Sequence, residues 1–109
     1  MISIIKDLFK KHYESLDGTT FKSRFKSDRS AVLIDVRTPS EFSGGNIRGA
    51  RNINIMSPSF LKTVESLDKN KTYYIYCRSG ARSGRACKTM GKMGFKVYNL
   101  SGGIYAWPN

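Results

Sequence analysis

The chain has 109 residues, 39% of them hydrophobic and 25% charged, and a formal net charge of +11. This composition is typical of one soluble globular domain with a core of its own, and it excludes disordered and collagen-like chains. No apolar run approaches the roughly 20 residues of a membrane span, and the first residues lack the basic and apolar regions of a signal peptide.

The first half of the chain is predicted to contain helices around two strands. Apolar residues at helical spacing near the N-terminus predict a helical extension over residues 1–17, ahead of a core over residues 18–109. Thr19 or Thr20 is expected to cap a short second helix. Runs of β-forming residues then predict strands over 31–36 and 51–55, and a further helix is expected from Ser57 onward.

A short helix is predicted directly after the first of these strands. Thr38 is expected at its N-cap, Pro39 at its first position and Glu41 at its third, which together form a capping box.

The second half continues the alternation of strands and helices. The pattern predicts strands over 72–76 and 96–100, a helix over about 83–93 and a short helical piece near the C-terminus. Because no hairpin signal separates the strands, we expect βαβ crossovers and a parallel sheet of the α/β class. Ligands of such sheets bind beyond the carboxyl ends of the strands, where both Asp35 and Cys77 fall.

One segment at such a strand end carries the residue types of a reactive thiolate. It reads Cys77-Arg78-Ser79-Gly80-Ala81-Arg82-Ser83. A tight loop with a central glycine can point backbone N–H groups at the Cys77 sulfur, and the following helix N-terminus and arginines add positive charge. Each of these lowers a thiol pKa, and the thiolate is the nucleophile. The same cradle would bind an oxyanion or a persulfide.

The remaining candidates have structural explanations. A buried Asp35 beside Arg37 needs a partner, and an arginine such as Arg51 or Arg82 could supply it. Cys87 lies among small apolar helix residues, which favours packing. The two cysteines are too few for a disulfide framework or a Cys-rich metal site, and they predict reduced thiols in a cytoplasmic, reducing compartment.

Charge is distributed unevenly along the chain. The last acidic residue is Asp68, and all charged residues after it are basic. This excess indicates an anionic partner, namely a small oxyanion, an acidic protein patch or a nucleic acid, although a solvated basic face explains it equally well.

Four separated segments carry a family resemblance: 35–42 (DVRTPSEF), 45–53 (GNIRGARNI), 76–83 (YCRSGARS) and 100–107 (LSGGIYAW). In order and spacing they resemble the signatures of single-domain rhodaneses. The resemblance implies a roughly five-stranded, mostly parallel sheet flanked by helices on both faces. It also implies that Cys77 accepts sulfur and that Arg78 to Arg82 cradle the persulfide. Asn46 departs from the pattern, since the family often has His there.

The expected activity is sulfur transfer without cofactor or metal. Cys77 would take a sulfane sulfur from thiosulfate or a persulfide and pass it to cyanide, a thiol or an acceptor protein. Two alternatives stay open: a phosphatase or arsenate reductase of the same fold, and a non-catalytic sulfur carrier or binding module. The resemblance favours sulfur transfer, because phosphatase relatives have one more residue between the cysteine and the arginine.

Overall fold

A computed structural model describes residues 12–109 of the chain, and they form an α/β fold around one parallel sheet. The sheet has the order β1-β5-β4-β2-β3, and all neighbouring strands run parallel. The strands are β1 (Glu14–Leu16), β2 (Ala31–Asp35), β3 (Arg51–Asn52), β4 (Thr72–Tyr76) and β5 (Lys96–Leu100). The predicted parallel α/β architecture is confirmed.

Helices cover both faces of this sheet. They are α1 (Gly18–Ser27), α2 (Pro39–Ser43), α3 (Phe60–Glu65) and α4 (Ala81–Lys92), followed by a 3₁₀ turn at Ile104–Ala106. Alternate residues of β4 point to opposite faces, as in any strand. Tyr73 and Ile75 pack in the core that α3 and α4 share, and Tyr74 and Tyr76 pack in the core under α1. Both cores are therefore built on the same central strand.

The N-terminal region differs from the prediction. The proposed helix over the first residues lies mostly outside the described part of the chain, but Glu14–Leu16, inside the predicted extension, is a strand. It pairs with β5, where Leu16 lies opposite Leu100. The strand has three residues and one buried side chain, which is too short a pattern to predict a strand from the sequence. It forms because β5 is there to pair with it.

The N-cap of α1 was also predicted two or three residues too late, at Thr19 or Thr20. Asp17 is the N-cap, and its carboxylate accepts the Thr20 N–H at 2.8 Å. The strand predicted over 51–55 is shorter than expected, because the Asn54 side chain accepts the Met56 N–H and turns the chain there.

The register of the sheet brings two chain segments together at the carboxyl ends of the adjacent strands β2 and β4. Asp35 lies opposite Tyr76, so the residues that follow β2 and β4 leave the sheet side by side. None of the helices between residues 12 and 109 is long and apolar enough to cross a membrane.

Candidate active site

Cys77 directly follows the central strand and lies under the loop that leads to α4. The residue is 0% exposed. Its Sγ accepts a hydrogen bond from the Gly80 N–H at 3.1 Å and from the Ser83 hydroxyl at 3.3 Å. Gly80 is the N-cap of α4. Its φ of +102° lies in the left-handed region, which favours glycine. The sulfur therefore lies at the helix N-terminus, where free N–H groups and the helix dipole favour a negative charge.

The pKa of Cys77 results from two opposing effects. Burial acts to raise it, but hydrogen bonds from the Ser83 hydroxyl and from the Ser83, Gly80 and Ser79 N–H groups outweigh burial and lower the pKa below its ordinary value. These donors aim at a sulfur that carries charge as the thiolate, the nucleophilic form. Burial raises the pKa of Cys87, whose thiol lies in the core.

A second segment, in the C-terminal turn, holds the Cys77 loop from outside. The Ile104 N–H donates to the Cys77 carbonyl at 2.9 Å. Gly103 has φ +74°, and a Cβ there would lie 1.9 Å from the Arg78 carbonyl oxygen. Only glycine fits this approach. Gly103 and Ile104 were not among the predicted site residues. The adjacent glycines Gly102 and Gly103 were the sequence signal that could have indicated a close backbone approach.

Arg82, predicted to be one of the residues that cradle the persulfide, forms an ion pair with Glu41. Its guanidinium donates to both carboxylate oxygens of Glu41, at 2.6 and 2.9 Å. This bond lowers the pKa of Glu41 to about 2. The predicted capping box is confirmed, since Thr38 and Glu41 exchange hydrogen bonds at the start of α2. Glu41 thus ties α2 to the loop, and its bond with Arg82 was not predicted because the partners lie far apart in sequence.

Asp35 pairs with Arg37, not with Arg51 or Arg82 as predicted. The ion pair is 2.7 Å long, and Arg37 Nε also donates to the carboxylate. Arg37 additionally donates to the Gly45 carbonyl at 2.7 Å. Because the chain bends directly after β2, the nearest arginine folds back onto Asp35. Arg51 is exposed on β3 and forms no ion pair within residues 12–109.

Arg78 and Ser79, which directly follow Cys77, are both exposed. Within the described residues the Arg78 guanidinium has no ion pair or hydrogen bond. Arg78 lines an open cleft of about 550 Å³ between the end of α2 and the C-terminal turn. Among residues 12–109 no three His, Cys, Asp or Glu side chains are grouped so as to hold a metal ion.

The described residues form a parallel α/β domain in which backbone N–H groups of one loop surround the sulfur of a buried cysteine. The sequence matches the model of the rhodanese-like domain over residues 18–109. The chain therefore belongs to the rhodanese-like domain family, and the resemblance seen in its four motifs is confirmed.

Similar proteins agree with this assignment. The uncharacterized protein YqhL of Bacillus subtilis is 48% identical over 80 residues, which are 72% of this chain and 62% of YqhL, so the match spans less than two thirds of that protein. A protein of Allochromatium vinosum named sulfurtransferase is 36% identical, covering 84% of this chain and 85% of that one. The crystal structure of a rhodanese-like domain protein from Staphylococcus aureus has a TM-score of 0.76 at 28% identity, covering 88% of this chain and 92% of that chain.

Proposed function

We propose that this protein is a sulfurtransferase that moves a sulfane sulfur from thiosulfate or a persulfide donor to a thiophilic acceptor through a persulfide on Cys77. The observation that carries the proposal is the set of donors on the Cys77 sulfur, the Gly80 N–H and the Ser83 hydroxyl. They stabilise the thiolate and would also stabilise the terminal sulfur of a persulfide, which is likewise an anion. The name of the Allochromatium relative supports the same reaction class.

The reaction divides into two displacements. The Cys77 thiolate attacks the outer sulfur of thiosulfate, and a new S–S bond forms. The S–S bond of the donor breaks, and its electron pair leaves with sulfite. In the second step the acceptor attacks the outer sulfur of the persulfide, and the electron pair of that bond returns to Cys77 as thiolate. No electron or proton is left over, and no cofactor is required.

Arg78 is the cation available to an anionic donor. It is exposed beside the loop, whereas Arg82 is bonded to Glu41. Arg82 therefore holds the shape of the loop, and Arg78 attracts the donor. Since Cys77 is buried, transfer requires the loop to part enough to admit one sulfur atom.

The ionised state of Glu41, in the cleft that Arg78 also lines, favours sulfur transfer over phosphoryl transfer. Phosphatases of this kind need a group that protonates the leaving oxygen. The carboxylate that lines the cleft is Glu41, and its pKa of about 2 leaves it without a proton at neutral pH. Sulfite needs no proton to leave, so sulfur transfer suits an ionised Glu41.

Mass spectrometry of the intact protein tests the proposal. After incubation with thiosulfate and removal of excess donor, we expect one added sulfur on the wild type and on Cys87→Ala, and none on Cys77→Ser. Added cyanide should then remove the sulfur as thiocyanate, with repeated turnover. No added sulfur on the wild type, or equal labelling of Cys77→Ser, would refute the assignment, and labelling without turnover would identify a carrier.

A further inference from the structure

A buried amide side chain lies behind the Cys77 loop and takes no part in the hydrogen bonds to its sulfur. It belongs to Asn99, near the end of β5, which is 5% exposed. Because side chains alternate along a strand, Asn99 shares a face of the sheet with Val97, which packs in the core that α3 and α4 share. A polar group on this buried face costs free energy unless it forms hydrogen bonds, so its partners indicate its role.

The Asn99 side chain bonds to the residue that begins α4. Its Nδ2 donates to the Gly80 carbonyl at 3.3 Å and to the Ser15 hydroxyl oxygen at 3.1 Å. Because a carbonyl only accepts, the nitrogen and not the oxygen of the amide faces Gly80. Gly80 is also the residue whose N–H donates to the Cys77 sulfur at 3.1 Å. It is therefore held at both ends, by the sulfur at its N–H and by β5 at its carbonyl.

Gly80 has no side chain, so only contacts to its backbone can fix its orientation. Its φ of +102° lies in a region that glycine enters and leaves easily. The residue packs against the end of β5 and the turn that follows, where a Cβ on Gly80 would lie 3.4 Å from both the Leu100 carbonyl oxygen and the Gly102 nitrogen. Since only two torsion angles separate the N–H of a residue from its carbonyl, a bond that fixes the carbonyl restricts the direction of the N–H.

Stability does not explain the Asn99 amide. Its Oδ1 is buried and has no hydrogen-bond partner among residues 12–109, which costs free energy. Neither group that it donates to depends on it for a partner. Ser15 is exposed to solvent, and the Gly80 carbonyl also accepts the Gly84 N–H at 3.0 Å. The amide therefore adds little net stability, and its distinctive contact is the one that orients Gly80.

We infer that Asn99 is a positioning residue for Cys77: its amide holds the Gly80 carbonyl and so keeps the Gly80 N–H directed at the sulfur. Asn99 forms no hydrogen bond to the sulfur within the part of the chain that the structure describes, and it acts through Gly80. The inference rests on the proposed role of Cys77 as the sulfur-accepting nucleophile.

The rate of Cys77 alkylation by iodoacetamide as a function of pH tests this role in two variants. Asn99→Ala removes the amide, and Asn99→Val removes it while filling most of its volume with a residue that suits a strand. We expect both to raise the pKa of Cys77 by about 0.3–0.7 unit, which slows alkylation about two- to fivefold below that pKa. The rate at high pH should match the wild type, because the thiolate is then fully formed. Arg82 and Cys87, the other ionisable groups that act on Cys77, stay unchanged.

Ser15→Ala is the matched control, since it removes the other partner of the same nitrogen and keeps the bond to Gly80. It should leave the pH profile of alkylation at its wild-type position. The inference is overturned by an unchanged profile in either folded Asn99 variant, or by an equal shift in Ser15→Ala. Failure of both Asn99 variants to fold would show that the amide serves stability, and it would overturn the inference as well.

Alkylation needs no sulfur donor, so the two proposals can fail separately. If thiosulfate adds no sulfur to the wild type, sulfur transfer through Cys77 is refuted whatever the alkylation profiles show. If it does add sulfur and the Asn99 variants keep the wild-type profile, only the positioning role is refuted.

Discussion

The Ser83 hydroxyl gives the most direct test of how the loop activates Cys77. Ser83→Ala removes the hydrogen bond of 3.3 Å from the Ser83 hydroxyl to the sulfur, at a fully buried position, and keeps the backbone donors. A hydrogen bond to a charged group contributes roughly 1.5–3 kcal/mol, and one pKa unit corresponds to about 1.36 kcal/mol. Because sulfur is a weaker acceptor than oxygen, the lower end applies, and we expect the pKa of Cys77 to rise by about one unit.

The rate of alkylation by iodoacetamide as a function of pH measures this shift. At a pH below the pKa, a rise of one unit should slow alkylation about tenfold, because only the thiolate reacts. Cys77→Ser gives the background from Cys87. Ser79→Ala is the matched control, since Ser79 contacts the sulfur through its backbone N–H, which the substitution keeps. A shift below about 0.3 unit in Ser83→Ala, with the fold intact, would refute the view that this hydroxyl stabilises the thiolate.

Three further substitutions test the surroundings of the loop. Arg82→Ala should cost about 1 kcal/mol of unfolding free energy at neutral pH, a small value because both partners of the ion pair are partly exposed. Since Glu41 has its pKa lowered from 4.5 to about 2, the difference from wild type should be complete above pH 4.5 and should vanish as the pH falls towards 2 in acid unfolding experiments. Gly103→Ala should cost about 3 kcal/mol or more in denaturant unfolding, because its Cβ would overlap the Arg78 backbone in a conformation reserved for glycine, and a loss below about 1 kcal/mol would contradict the close approach. Cys87→Ala should retain sulfur transfer with a modest loss of thermal stability, and a large loss of turnover in the folded variant would show that Cys87 takes part in the chemistry.

The sequence predicts the central strand, the loop and the parallel sheet because these depend on local patterns. The strand ending at Tyr76 is a continuous run of β-forming residues, typical of a strand covered on both faces. The capping box at Thr38 is equally local, since its partners lie three residues apart. Strand β1 is different, because three residues become a strand only when β5 is present to pair with them.

The ion pairs could not be predicted for a related reason. Asp35 has several arginines within reach in principle, and its choice of Arg37 depends on how the chain bends after β2. Arg82 shows the same limit on a larger scale, because its partner Glu41 is separated from it by 41 positions. Residue types indicate that a buried charge needs a partner, but only the fold decides which one it has.

The conformation of the loop depends on residues outside its own motif. Glu41 from α2 bonds to Arg82 at one end of the loop, and Ile104 from the C-terminal turn bonds to the Cys77 carbonyl at the other. Between these two contacts, the Gly80 N–H points at the sulfur from 3.1 Å, and the direction of this N–H depends on the path of the loop backbone. A loop with the same seven residues but without these contacts would keep the cysteine and lose the alignment of its donors, so the geometry that lowers the pKa of Cys77 belongs to the fold as much as to the motif.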